Sequence, residues 1–137
     1  MADLRSVPAE APVNVVLVDD DKQFVEGLRT IVDEEPTLSV VGVAENGLEA
    51  IELVDELAPE AVVIDLHMPL LDGVSAVARI RNDHPGLCLI AMTADQASDL
   101  HAAVADAGAD VVLMKDELPE VLSARIAAAR GRQRAVM

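Results

Sequence analysis

Five short runs of aliphatic residues recur along this chain, and each is followed by a stretch with helical spacing. The runs are Val13–Val18, Ser39–Ala44, Ala61–Ile64, Leu87–Met92 and Val111–Met114. None alternates cleanly between apolar and polar residues. A strand covered on one face alternates, whereas a continuous apolar run implies cover on both faces, as in a parallel sheet. Between and after the runs, apolar residues fall three and four apart. The stripes are Phe24, Leu28, Ile31 and Val32; then Leu48, Ile51, Leu53, Val54 and Leu57; then Val74, Val77 and Ile80. A weaker, Ala-rich stripe follows at Leu100, Val104 and Ala107. The last holds Leu118, Val121, Leu122, Arg125 and Ile126 and ends near Gly131. Such spacing puts each set on one helix face. Pro36, Pro59, Pro85-Gly86 and Gly108 punctuate the units.

Strand then helix, five times over, predicts an α/β fold: a doubly wound five-stranded parallel sheet with right-handed crossovers and helices on both faces. The expected strand order is the flavodoxin-like 2-1-3-4-5, with a crevice outside the carboxyl ends of strands 1 and 3. A chain of 137 residues suits one such domain. We expect a loose leader over 1–12, the folded domain over 13–131 and a short tail over 132–137. Hydrophobic residues make up 52%, far above a disordered composition.

Charge and composition exclude several functions. Ten Lys and Arg stand against 25 Asp and Glu, a net charge of −15. That field disfavours direct binding to nucleic acid or to an anionic membrane. One Phe and no Trp or Tyr leave no platform for stacking bases. The single cysteine, Cys88, precludes an internal disulfide, and its strand position suits an inert core residue in a cytoplasmic protein. No apolar stretch reaches the roughly 18 residues a membrane span requires. Met1–Val7 lack the apolar segment of a secretory signal.

The topology can be tested against the polar residues. Strand 1 runs into Asp19-Asp20-Asp21, strand 3 into Asp65, strand 4 into Thr93 and strand 5 into Lys115. Residues remote in sequence therefore converge on one rim. Asp19, Asp20 and Asp65 repel one another there unless a cation neutralises them. An all-oxygen set selects a hard ion such as Mg²⁺, which is usually completed by substrate phosphate. A carboxylate can itself accept a phosphoryl group. Asp65 is the expected nucleophile, with Lys115 and the Thr93 hydroxyl on the phosphoryl oxygens. Ala94 leaves room for the group. Asp21 is read as the acid at a helix N-terminus, and Thr93 can serve as an N-cap as well.

The segments Val15–Asp20, Val62–Gly73, Ala91–Ala94 and Ala107–Lys115 resemble the receiver domain of two-component response regulators. The resemblance spans roughly Val13 to Gly131. It implies an acidic pair at Asp19 and Asp20, a phosphoacceptor at Asp65, a switch hydroxyl at Thr93 and a phosphate-contacting lysine at Lys115. It also implies Mg²⁺ held by the acidic pair, Asp65 and the backbone carbonyl of His67. The donor is then a histidine kinase or a phosphotransfer protein. Phosphorylation would switch the surface of helix 4, strand 5 and helix 5 for a downstream protein partner, with a homodimer through that face as a further expectation.

Three departures from the family's usual pattern involve four positions. Asp116 follows the lysine where Pro is common, which resembles receivers that precede LuxR-type helix-turn-helix outputs. Val112 stands where an aromatic often swings on activation. His67 and Asp95 occupy the flanking positions with which the family tunes self-dephosphorylation.

Other readings compete. The chain is alternatively the receiver part of a DNA-binding regulator whose output domain lies outside it, or a receiver-like module that works by contact without phosphorylation. An aspartyl-phosphate phosphatase is disfavoured, because such enzymes favour an acid where His67 stands and need a cap insertion. We expect no enzyme activity beyond slow self-dephosphorylation. His67, His84 and His101 fall on a loop, a turn and a helix, so a zinc site is not expected. Phe24 is expected in the core; Val111 and Val112 are read as ordinary packing, with part of a partner-binding patch as the alternative.

Overall fold

The computed structural model describes residues 12–68, 71–94, 98–117, 121–122, 124–126 and 128. The expected leader before Pro12, the tail, Asp95, Pro69 and Leu118 lie outside the described residues. Five strands form one parallel sheet: β1 (Val13–Val18), β2 (Leu38–Ala44), β3 (Ala61–Asp65), β4 (Cys88–Thr93) and β5 (Val111–Met114). Their order is β2-β1-β3-β4-β5, as the strand and helix alternation predicts. Four helices lie between them: α1 (Lys22–Asp33), α2 (Gly47–Leu57), α3 (Gly73–Asp83) and α4 (Ser98–Ala107). Helical residues 121, 122, 124–126 and 128 belong to α5.

Apart from exposed Asn14 and the polar residues Asp65 and Thr93 at the strand ends, the inner strands are apolar, because helices cover both faces. On one face Val13, Val15 and Leu17 of β1, Ala61 and Val63 of β3, and Cys88, Ile90 and Met92 of β4 meet α1 and α5. On the other, Val16 and Val18, Val62 and Ile64, and Leu89 and Ala91 meet α2, α3 and α4. Successive residues of a strand point to opposite faces, so the covered part of each inner strand needs apolar residues at consecutive positions. Burying these side chains contributes about 1.5–3 kcal/mol for each large aliphatic one, before the entropy of ordering is counted.

At the sheet edge, β2 is less buried. Its register against β1 slips between Val15 and Val16, so that Val15 pairs with Val40 and Val16 with Gly42. Val41, left over in this irregularity, is 38% exposed. A bulge twists an edge and hinders another strand from pairing with it.

The helix faces differ from the expected stripes. Ile31, Leu48 and Leu57 are exposed. Val25 replaces Ile31 in the core contact of α1, while Ala50 and Gly47 take the inward face of α2 beside Val54. Small residues let α2 approach the rest of the fold closely, so the largest side chains are not the most buried. Phe24 is only half-buried, at the margin of the α1 core, which corrects its assignment to the interior. Val111 and Val112 pack against opposite core layers, as expected of ordinary sheet residues. Cys88 is buried.

Candidate functional site

Alternation along the strands decides which polar groups share a face. Val15 and Leu17 point to the α1 side, and Asp19 continues their parity. Ala61 and Val63 do the same for Asp65, and Val111 and Leu113 for Lys115. Thr93, one step beyond Met92, carries the opposite parity. The ladder holds the strand ends level: Asp65 pairs with Met92, Thr93 pairs with Met114, and the Lys115 N–H donates to the Thr93 carbonyl at 2.9 Å.

Asp19, Asp65 and Thr93 are the buried polar residues among those described. Asp20 is exposed, at the rim rather than inside the crevice. One carboxylate oxygen from each of Asp19, Asp20 and Asp65 lies within 4.8 Å of the others. Lys115 Nζ approaches Asp19 Oδ2 at 2.7 Å and Asp65 Oδ2 at 3.4 Å. The nearer carboxylate is thus Asp19. That contact has the distance of an ion pair without hydrogen-bond alignment, and Asp19 Oδ2 stays buried without a hydrogen-bond donor. Asp19 Oδ1 is anchored by the Asp21 N–H at 2.9 Å.

The electrostatics follow from this crowding. Burial, and then the charge of Asp19, push the Asp65 carboxyl up to about 6, against the opposing pull of Lys115 and of the His67 N–H. That N–H donates to Asp65 Oδ1 at 3.3 Å. Burial works against the Lys115 ammonium, but its contacts with Asp19 and Asp65 outweigh it and hold the group above its usual value. At neutral pH Asp65 is mainly a carboxylate, the form that can act as a nucleophile.

The surroundings fix Asp65 from behind. Asp72 caps α3: its carboxylate accepts from the Ser75 N–H at 2.9 Å and from the Ser75 hydroxyl at 3.0 Å. Gly73 follows, and a Cβ there would stand 2.5 Å from the Leu66 Cα and 2.7 Å from the Asp65 carbonyl oxygen. Only a glycine lets α3 start this close to the end of β3. Asp72-Gly73 is therefore a packing requirement of the Asp65 backbone, a cause that spacing alone does not reveal.

The oxygens present fit a hard divalent ion. An octahedral Mg²⁺ with ligands at about 2.1 Å sets neighbouring and opposite oxygens roughly 3 and 4 Å apart. The carboxylates span a comparable distance, and the buried Asp19 oxygen that meets only the Lys115 ammonium, without hydrogen-bond alignment, is the atom such an ion would satisfy. His67 is exposed in the loop after β3. None of the three histidines belongs to the acidic cluster. His84 instead ends α3 and pairs with Asp55 at 2.7 Å.

One residue near this end of the sheet was not expected to matter there. The Phe24 ring lies under Lys115, with Nζ 4.7 Å from its centroid. Asp21, read as a helix-end acid, does accept from the Gln23 and Phe24 N–H groups. At the opposite end, Arg81 donates to the carbonyls of Gly108, Pro85 and Leu87 and to Asp110 at 2.7–2.9 Å. No sequence spacing announces that brace, because its partners come from two separate loops.

The chain has relatives among known proteins. The family model for the response regulator receiver domain matches residues 15–127. The chain is 35% identical over 126 residues to the nitrate/nitrite response regulator protein NarP of Escherichia coli, covering 91% of this chain and 59% of that protein. It is 37% identical over 125 residues to a protein-glutamate methylesterase/protein-glutamine glutaminase of Shewanella denitrificans, covering 83% of this chain and 32% of that one. It thus spans less than two thirds of these curated relatives. Among solved structures, a LuxR-family two-component response regulator from Aurantimonas superposes with a TM-score of 0.81 at 30% identity, covering 88% of this chain and 86% of that chain.

Proposed function

The chain belongs to the response regulator receiver domain family of two-component signalling, and from that premise we propose that Asp65 is its phosphoacceptor. The observation that carries the assignment is the burial of Asp65 at the carboxyl end of β3, facing Asp19 and Lys115. An Asp65 oxygen attacks phosphorus as the P–N bond to a donor imidazole breaks, and the imidazole leaves with the electron pair. Lys115 stabilises charge on the phosphoryl oxygens, and Thr93, at the end of the neighbouring strand, donates its hydroxyl. Asp19, Asp20, Asp65 and the His67 carbonyl would hold Mg²⁺, which when bound neutralises charge on the transferring group.

The phosphoryl group adds charge and acceptor oxygens at this rim. Thr93 and Lys115 follow it and bias a pre-existing equilibrium at the α4, β5 and α5 surface. Val112 leaves that switch without an aromatic rotamer. His67 and Asp95 set how long the phosphoryl group survives. The donor is a histidine kinase or a phosphotransfer protein, and the reader is a protein partner, with a second copy of the chain as one candidate. We assign the receiver unit to 13–131, a cytoplasmic setting and no catalysis beyond slow self-dephosphorylation. Among the described residues no helix is long and apolar enough to cross a membrane.

Acetyl phosphate with Mg²⁺ tests the site, since acetate then replaces the imidazole as leaving group. Intact mass should rise by one phosphoryl group in the parent chain and not in Asp65→Asn. Labelling that persists in Asp65→Asn overturns the assignment. A chain that neither binds Mg²⁺ nor takes the label is instead a contact module working without phosphorylation. A second reading rests on the greater length of the curated relatives: the same receiver acting as one part of a longer regulator, including a DNA-binding one. The mass of the protein isolated from its own cells decides between them.

A further inference from the structure

Lys115 is held from three sides, and one of them is not a carboxylate. Its ammonium stands 2.7 Å from Asp19, 3.4 Å from Asp65 and 4.7 Å from the centroid of the Phe24 ring. If Asp19 and Asp65 take a divalent cation, as the reading above requires, that cation repels the ammonium from the oxygen it touches most closely. A lysine on a four-carbon stem then has water as its nearest alternative.

The ring offers a different resting place. An aromatic face attracts a cation without using an oxygen, so it competes with neither metal nor phosphoryl group. Its placement follows from the local fold. Asp19 anchors the Asp21 N–H, and Asp21 caps the N–H groups of Gln23 and Phe24. The first turn of α1 is thereby tied to the acidic strand end, and Phe24 rides on that turn. This explains why the one Phe, in a chain of 137 residues without Trp or Tyr, is half-buried at the margin of the aliphatic core beside a charge rather than fully inside it.

We propose that Phe24 is a positioning residue for phosphoryl transfer, its ring face keeping the Lys115 ammonium over the pocket when a divalent cation occupies Asp19. The role rests on the phosphoacceptor reading, whereas the contact itself does not.

Both can be read in the full chain. Phe24→Leu keeps an apolar side chain and removes the ring; Phe24→Tyr restores a ring. The ring current should shift the Lys115 Hε resonances upfield in the parent chain, assigned by their loss in Lys115→Met. The shift should disappear in Phe24→Leu, return in Phe24→Tyr and persist when Mg²⁺ is added. The rate of labelling by acetyl phosphate with Mg²⁺ should fall about 2–5-fold in Phe24→Leu, the range expected for loss of an exposed cation–π contact. It should recover in Phe24→Tyr. In the Lys115→Met background, Phe24→Leu should cost nothing further, which a merely structural role for the ring would not produce.

Equal labelling rates in Phe24→Leu and the parent chain overturn the proposal, as does an Hε position that is unshifted in the parent chain with Mg²⁺ bound. The latter needs no variant at position 24, so it holds even if Phe24→Leu fails to fold. A parent chain that binds Mg²⁺ but takes no label overturns the phosphoacceptor reading, and the positioning role of Phe24 with it, while the resonance shift still reports the contact.

Discussion

Replacing Asp65 with Asn should stabilise the metal-free protein at neutral pH, although it removes the group on which function is proposed to depend. The reason is electrostatic. The Asp65 carboxyl ionises near 3.8 when unfolded and at about 6 in the fold, chiefly through burial and then through the charge of Asp19. Between those values the folded protein keeps a proton that the unfolded chain has lost. The stabilisation from that proton is complete below about pH 4 and is lost as pH rises through 6. A shift of roughly two units at ~1.4 kcal/mol per unit amounts to about 3 kcal/mol. Asn has the same shape and cannot ionise, so it escapes the loss. The pull of Lys115 is already contained in the shift, so removing that attraction requires no second correction.

Urea unfolding followed by circular dichroism at pH 4, 5, 6 and 7 in chelator measures this, since a chain without Trp offers no indole fluorescence. Subtracting parent from variant cancels the titration of every group that does not interact with Asp65. The variant should gain up to about 3 kcal/mol at pH 7, a midpoint shift of roughly 1–3 M urea. The gain should shrink towards zero at pH 4. A difference that stays constant from pH 4 to pH 7, or a variant less stable at pH 7, refutes the argument that burial beside Asp19 strains the ionised pocket.

Three other measurements probe the same structure. Millimolar Mg²⁺ at pH 7 should raise the melting temperature of the parent chain by binding the folded state only, and an equal rise in Asp19→Asn would remove Asp19 from the metal site. Asp72→Ala deletes the α3 cap and should cost about 1 kcal/mol in urea unfolding, with Asp72→Asn recovering most of it. Because Ser75 holds the Asp72 carboxyl below its usual value, that contribution should fade as pH drops through the acid range. Gly108→Ala should cost on the order of 1–3 kcal/mol, because Gly108 sits at φ 124° and a Cβ there would stand 2.5 Å from Arg81 Cγ; a neutral result in thermal unfolding would refute the strain.

Much of this is legible in the amino-acid sequence. The bounds of β1 and β5 match the apolar runs, β2 and β3 differ by one residue at one end, and β4 is shifted by one residue at both ends. Continuous apolar runs are a strong signal because a parallel strand needs both faces covered. Asp19, Asp65, Thr93 and Lys115 could be found because each directly follows such a run. The helix faces were less legible. Spacing treats Leu48 and Leu57 as better core residues than Ala50, yet a helix lying close to a sheet favours the small side chain.

The sequence by itself determined the fold class, the strand order to expect and the polar residues that meet at one rim, because these follow from periodicity and from the carboxyl-end rule of doubly wound sheets. Only the tertiary structure decided how those residues touch. It put Lys115 closer to Asp19 than to Asp65, left Asp20 exposed and set the Phe24 ring against the ammonium. It also needed Gly73 so that α3 could reach the Asp65 backbone, and it joined two loops through Arg81. These are distances of a few ångströms between groups on different elements. They depend on how closely packed layers approach, and spacing along one chain does not encode that.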